Sequence, residues 1–338
     1  MAILIGAPTI LTAGEAENAL NDGVKLYRSG KFKEAVAAYD RAIKAAPKAA
    51  EAYLGRGSAR AKLGQQDRAI KDYDEALRLN PDLADGYYKR GDAYNESKQY
   101  QAAIKDYDEA LRRNSKLTET YNNRGLAYYK LGQYDSAISN YDEALRQNPK
   151  LSDALYNRGN AYFAQKQYER AIKDYDEVIK QSPKSATLFK QRGMAFSASD
   201  QFDKAIQDFN QAQKLSPKDA EIYSSRGLAY RRQGKHEEAA KDYSQAIKLT
   251  PKNAETYNNR ANAYSLLGKY DDALKDYDEA VKLDPKNARI YANRGMIRLR
   301  QGKNDDGQKD LKKALELDPS LKEKLEPVMK GQPPSAKP

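Results

Sequence analysis

The 338 residues hold no cysteine and a single histidine, His236, and lysine plus arginine exceed aspartate plus glutamate by 59 to 48. Disulfides, thiolate nucleophiles, cysteine metal sites and multi-histidine metal sites are therefore excluded, and no run of about 18 apolar residues is present to span a membrane. The net charge of +11 raises a nucleic-acid or anionic-surface reading, which depends on where the charge lies.

The chain opens on MAILIGAPTILTAG, apolar and unlike anything after it. It lacks the basic start of a signal peptide, and Gly6 and Pro8 interrupt it, yet "TAG" before Glu15 suits a small-residue cleavage site. Residues 1–15 read as an apolar leader, either a signal-peptide remnant or a segment without fixed structure. The expectation tilts towards an exported or periplasmic protein rather than a cytoplasmic one.

From there the prolines set the organisation. They fall at 47, 81, 149, 183, 217, 251, 285 and 319, with Ser115 in the one long gap. Counting back gives nine 34-residue repeats without insertion: 16–49, 50–83, 84–117, 118–151, 152–185, 186–219, 220–253, 254–287 and 288–321. A period of this length means stacked supersecondary units.

Each repeat predicts two helices. In 118–151, Tyr121, Gly125 and Tyr128 lie four and three apart on one helical face, Gly132 marks a turn, Ala137, Tyr141 and Ala144 form a second stripe, and Pro149 stops it. Small residues at repeat positions 8, 20 and 27 let the axes approach, and bulky ones at 4, 11, 17 and 24 fill the space beside them. Lys98, Lys166 and Asp200 replace the turn glycine in repeats three, five and six, and the last repeat departs from the framework at Asn304, Gly307 and Leu311. At its end, Leu321, Leu325 and Val328 predict a short capping helix over 322–330, and GQPPSAKP at 331–338 reads as a disordered tail.

This pattern resembles the tetratricopeptide repeat (TPR) family, whose signature W-x2-L-G-x2-Y, A-x3-F and P falls at these positions. The resemblance covers 16–321. It implies an all-α fold, a right-handed superhelical solenoid of antiparallel helix pairs, with first-helix positions 2, 5, 6, 9, 12 and 13 facing a concave groove that mostly binds peptides or other proteins.

Of the 26 tyrosines, 22 occupy framework positions. The remaining four, Tyr27, Tyr88, Tyr129 and Tyr156, stand at positions 12, 5, 12 and 5, and the one non-framework phenylalanine, Phe163, at position 12. The family register points all five into the groove, where they either anchor a ligand or cover neighbouring helices. Asparagine recurs at position 6 as Asn21, Asn123, Asn157, Asn259 and Asn293, with Asn122, Asn160, Asn258 and Asn262 on the same face. An amide that donates and accepts together can pair with a peptide bond whatever its side chain; the alternative is solvated polar surface. The row resembles the asparagine ladder lining the superhelix of O-linked N-acetylglucosamine transferase, of which only the binding half carries over. Co-chaperones that clamp an acidic C-terminus use lysine at position 5 with asparagine at 9. Here Lys190 is followed by Met194, and position 2 is acidic in seven repeats, which speaks against such a clamp.

Arginine stands at position 7 in eight of nine repeats, and position 23 of the second helix is acidic in seven of those eight. Pairing within a repeat predicts Arg56 with Asp72, Arg90 with Asp106, Arg158 with Asp174, Arg192 with Asp208, Arg226 with Asp242, Arg260 with Asp276 and Arg294 with Asp310, plus Arg124 with the neutral Asn140. Repeat one, with Asp22 and Ala38, lacks both partners. These are read as structural ion pairs, the stem packed and the head bonded.

The groove positions balance nine basic against nine acidic residues, so a basic stripe for nucleic acid is not found there. Polyanion binding through faces outside the groove stays as the alternative. His236 falls at position 17, a framework ring position, and no phosphate loop or nucleophile–base arrangement stands out. The expectation is a non-catalytic scaffold without cofactor or metal, whose partners are other proteins or extended peptides.

Overall fold

The computed structural model describes residues 13–330; the leader up to residue 12 and the tail at 331–338 lie outside the described residues. The chain divides into two compact units, one ending at Gln167 and the other starting at Tyr168. Among the described residues there is no strand.

The first unit holds α1 (Ala13–Arg28), α2 (Phe32–Ala45), α3 (Ala50–Lys62), α4 (Gln66–Leu79), α5 (Ala84–Glu96), α6 (Tyr100–Arg113), α7 (Thr118–Lys130), α8 (Tyr134–Gln147) and α9 (Ser152–Ala164). Each helix packs on its sequence neighbours, and each first helix also touches the first helix of the next repeat. The second unit holds α10 (Tyr168–Gln181), α11 (Ala186–Ala198), α12 (Phe202–Leu215), α13 (Ala220–Arg232), α14 (His236–Leu249), α15 (Ala254–Leu266), α16 (Tyr270–Leu283), α17 (Ala288–Arg300) and α18 (Asn304–Leu317), then a 3-10 turn (Pro319–Leu321) and α19 (Lys322–Met329). The division falls inside repeat five, between its two helices.

Two local causes give each repeat its hairpin. The turn after the first helix needs a left-handed residue. Glycine supplies it at 30, 64, 132, 234, 268 and 302 with φ of 73–82°, and Lys98, Lys166 and Asp200 adopt the same conformation at φ of 60–61° against the penalty a Cβ brings. The close approach of the two helices comes from position 8. A Cβ built on Gly125 would sit 2.7 Å from the Tyr141 ring, so the missing methyl is what admits the ring. Repeat eight takes Ala261 beside Tyr277, so one methyl can be absorbed where the neighbours give way.

The position-24 rings are the core. Tyr73, Tyr107, Tyr141, Tyr175, Phe209, Tyr243 and Tyr277 are all among the largest fully buried side chains, each contributing on the order of 2–3 kcal/mol of apolar burial. At the end of the second unit α19 lays Leu325 and Val328 against Leu311 and Ala314 of α18 and Ala292 of α17. Gln308 Nε2 donates to the Met329 carbonyl at 2.9 Å. The worn last repeat thus buries its framework leucine under a helix instead of another repeat.

Candidate functional site

The position-7 arginines come first, because they hold the first helices at a fixed distance from two second helices. Arg90 donates from Nε and Nη2 to the two oxygens of Asp106, both at 2.7 Å. The same fork recurs at Arg192 on Asp208, Arg226 on Asp242, Arg260 on Asp276 and Arg294 on Asp310. Arg56 grips Asp72 with Nη2 at 2.7 Å and Nε at 3.1 and 3.2 Å. Arg124 Nε donates to Asn140 Oδ1 at 2.7 Å. The pair predicted in repeat five, Arg158 with Asp174, has its members on either side of the division between the units.

Sequence reasoning missed the second partner of each arginine. Nη1 reaches back sixteen residues to position 25 of the preceding repeat: Asp40 from Arg56, Asp74 from Arg90, Asp108 from Arg124, Asp142 from Arg158, Asp176 from Arg192 and Asp278 from Arg294, at 2.5–2.7 Å. Asn210 and Ser244 take this place for Arg226 and Arg260. The signal was present: position 25 is Asp, Asn or Ser in the eight repeats followed by an arginine, and Lys312 in the ninth. Arg60 and Arg298, at a framework ring position, add further bonds to Asp72 and Asp310.

The two carboxylates differ in environment. Side chains of the inner partners are 4–10% exposed, those of the outer ones 41–52%. Short bonds to Asp106 and to Asp208 raise the Arg90 and Arg192 guanidiniums above their already high ordinary value, and burial pushes the two carboxyls up against the pull of the arginines. An aromatic ring at position 4 lies 5.4–5.8 Å from most of these guanidiniums, for example Tyr87 beside Arg90 and Phe189 beside Arg192. Each arginine is a staple between repeats and is committed to the protein.

With the helices so held, the side chains they do not need line the first-helix face. In the first unit Tyr88, Asp92, Asn123 and Leu126 of α5 and α7 border a recess of about 600 Å³, together with Tyr27, Ser58 and Lys62. Asn123 Nδ2 donates to Asp92 Oδ1 at 2.9 Å and lies 3.4 Å from Tyr88 Oη. Buried Tyr107 donates its hydroxyl to the same Asp92 oxygen at 2.7 Å. Burial raises the Asp92 carboxyl above its ordinary range, opposed by the donors Tyr107, Asn123 and Tyr88 and by Lys89. Asp92, counted in the sequence only towards the charge balance, thus gathers the donors Tyr107, Asn123 and Tyr88 on the lining of this recess.

The asparagines are joined across repeats. Asn122 Nδ2 donates to Asn123 Oδ1 at 3.2 Å, and Asn157 Nδ2 donates to Asn122 Oδ1 at 3.1 Å. In the second unit Asn293 donates to Asn258 at 3.1 Å, the same step from position 6 back to position 5. Asn262 accepts from Tyr277 Oη at 2.6 Å. Asn259 borders a second recess of about 520 Å³ with Ser224, Ser225, Leu228, Glu221 and Glu255. Tyr129 rests on Tyr134 with ring centroids 5.4 Å apart, and burial raises its hydroxyl, helped by Tyr134 and Tyr156. Tyr88, Tyr129, Tyr156, Asn160 and Phe163 are all half-buried.

Leu228 and Leu266, at positions 9 and 13, are the exposed large hydrophobic side chains among the described residues, and the sequence reading named neither. Lys190, by contrast, is engaged: its ammonium bonds Asp219 at 2.9 Å and Glu221 at 2.6 Å. Among the described residues no group of three or more His, Asp or Glu side chains could hold a metal ion, and no helix is long and apolar enough to cross a membrane.

A family model described as the C-terminal domain of cilia and flagella-associated protein 70, a TPR domain, matches residues 108–327, and two tetratricopeptide repeat models match 23–84 and 84–117. No curated protein matches the chain. Among solved structures, the C-terminal part of a TPR repeat-containing protein from Cytophaga hutchinsonii is 18% identical with a TM-score of 0.59, over 71% of this chain and 98% of that one. A tetratricopeptide repeat protein from Parabacteroides merdae is 20% identical with a TM-score of 0.55, over 76% and 98%. The APC/C hetero-tetramer Cut9–Hcn1 contributes a chain 16% identical with a TM-score of 0.54, over 83% and 56%. At these identities the likeness is one of fold.

Proposed function

The chain belongs to the tetratricopeptide repeat family, whose fold serves in general as a protein-interaction scaffold, and on that premise we propose that it holds extended partner segments on its first-helix faces without catalysing a reaction. One observation carries the reading. Side chains that the framework does not use gather in open recesses on these faces: Tyr88, Asp92 and Asn123 in the first unit, Ser225, Leu228 and Asn259 in the second. Backbone capture falls to the asparagines. Asn157 and Asn293 each spend one N–H on a neighbouring repeat, which fixes the rotamer and leaves the second N–H and a carbonyl lone pair for a ligand. Preorganised amides of this kind lose little freedom on binding. Tyr88, Tyr129, Tyr156 and Phe163 supply the aromatic contacts.

The +11 charge does not favour a polyanion over a peptide, because the position-7 arginines already have their donors on aspartates. Retention of random eight-residue peptides on the immobilised full chain tests the proposal. The chain should retain a subset of them, and a Tyr88→Ala/Asn259→Ala variant should retain several-fold less with an unchanged helical spectrum. Equal retention by both proteins would place binding elsewhere.

A further inference from the structure

Position 24 brings a ring beneath position 9 of its own repeat, and the chain meets the hydroxyl there in different ways. Asn262 accepts from Tyr277 at 2.6 Å, and Asp92 accepts from Tyr107 at 2.7 Å. In repeats four and seven the position-9 residues are Leu126 and Leu228, and the hydroxyls of Tyr141 and Tyr243 are buried without a partner. A neutral amide thus satisfies everything the packing asks of position 9, and a leucine is tolerated. The aspartate adds a charge that the fold does not use and that burial penalises. In repeat eight, where the Tyr277 hydroxyl asks for the same acceptor, a neutral amide supplies it. The chain places asparagine there and aspartate at 92.

The surroundings of Asp92 show what the charge can do. Oδ1 accepts both from Tyr107 and from Asn123. The Tyr88 hydroxyl acts as a third donor to the carboxyl, and Asp92 stands on the lining of the recess beside that ring. The lysine one turn away, Lys89, has its ammonium 3.4 Å from Asp85. Lys62 and Glu96, also on the lining, are exposed at the rim and of opposite sign. Rings of Tyr27 and Tyr88 stand in the walls. A carboxylate on the lining of a recess of about 600 Å³ that also carries tyrosine rings suits a cation on an apolar stem: the stem and the charge lie against rings, and the head takes a charge-assisted hydrogen bond. A single carboxylate is a poor site for a divalent ion, which needs several oxygen ligands.

We propose that the recess around Asp92 receives a lysine or arginine side chain of the bound segment, so that the first unit selects partners with a basic residue. This rests on the reading of the first-helix face as a peptide-binding surface. The test uses the purified full chain, wild type and Asp92→Asn, against four pools of random eight-residue peptides whose central residue is fixed as Arg, Lys, Gln or Glu. Wild type should retain the Arg and Lys pools on the order of ten-fold more than the Gln pool, the scale of a partly desolvated charge pair, and Asp92→Asn should lose that preference while holding the Gln pool as before. Retention without a basic preference, or a preference that Asp92→Asn leaves intact, overturns the Asp92 assignment alone. No retention of any pool overturns the peptide-binding reading and this inference with it. Thermal unfolding of Asp92→Asn at or above the wild-type midpoint confirms that a lost preference is not lost folding.

Discussion

The inner and outer carboxylates around each position-7 arginine should differ several-fold in what they contribute, and repeat six offers the cleanest comparison. Arg192 on α11 makes two 2.7 Å bonds to Asp208 on α12 and one 2.7 Å bond to Asp176 on α10. The Asp208 side chain is 8% exposed and that of Asp176 41%. Breaking a buried pair by removing one partner costs roughly 3–5 kcal/mol, whereas an exposed pair is worth about 0–1 kcal/mol. Asp208→Ala should therefore cost about 3 kcal/mol, the low end because the guanidinium keeps Asp176, and Asp176→Ala less than about 1 kcal/mol. Replacing both inner partners, Arg192→Leu/Asp208→Leu, restores an apolar contact and should cost far less than the sum of the single changes.

Urea unfolding together with native-state hydrogen exchange of α11 and α12 amides measures this, since a repeat array opens locally as well as globally. The pH dependence adds a check. Without its arginine, Asp208 is a buried carboxyl whose folded pKa stands above the unfolded one. Its stability contribution is then present below the unfolded pKa and lost as pH rises through the folded one. The deficit of Arg192→Leu should accordingly shrink as pH falls towards about 4. An Asp176→Ala deficit equal to that of Asp208→Ala, or strict additivity in the double variant, would refute the hierarchy.

Asp92→Asn should be more stable than wild type at pH 7 and no more stable near pH 3. Burial raises the Asp92 carboxyl, so its stabilising protonated form is lost as pH rises; thermal melts across pH 3–8 read this, with Tyr88, Tyr107, Asn123, Lys89 and the rim charges Lys62 and Glu96 left in place. Lys98→Gly should raise stability by about 0.5–1 kcal/mol, because a left-handed residue with a Cβ costs about 1–2 kcal/mol and glycine returns about 0.5–1 kcal/mol of that as chain entropy; the midpoint of urea unfolding reports it, and a loss would show that Lys98 earns its place through contacts. Asn157→Ala should cost about 1 kcal/mol, the net value of one amide hydrogen bond, seen as faster amide exchange at the end of α7 facing α9; unchanged exchange would mean that the Asn122–Asn157 bond does not hold these helices together.

The fold was legible in the sequence because its determinants are local and repeated. Proline at position 32, a left-handed turn residue at 15 and a small residue at 8 each act within one hairpin, and nine copies make the register unambiguous. Partners that belong to two repeats were harder to read. The outer aspartates, Asp40 to Asp278, stand at position 25 of the preceding repeat, and reading one repeat at a time gives the arginine a single acceptor. Likewise the asparagine row was visible as a column of letters, but that Asn157 donates to Asn122 depends on how far one first helix is offset from the next, which composition does not specify.

Asp92 was hidden for a different reason. In a charge balance it is one acid among nine at groove positions, indistinguishable from solvated Glu119 or Glu255 two helix turns nearer the N-terminal end. Only the structure shows that it accepts from a buried tyrosine hydroxyl and stands on the lining of a recess. The repeats then act as their own mutational series: Asn262 and Leu228 stand in the same seat and keep the fold, so the charge at 92 is not explained by packing. A residue that lowers stability where neighbours in the same chain show a neutral solution is the kind retained for function. Reversing the series supplies the matching control. Leu126→Asn in repeat four should pair the orphaned Tyr141 hydroxyl and stabilise the chain by about 1 kcal/mol, measured by urea unfolding, without creating any preference for basic peptides. A gain in stability accompanied by a new basic preference would mean that the amide, and not the charge, is what the ligand reads at position 9.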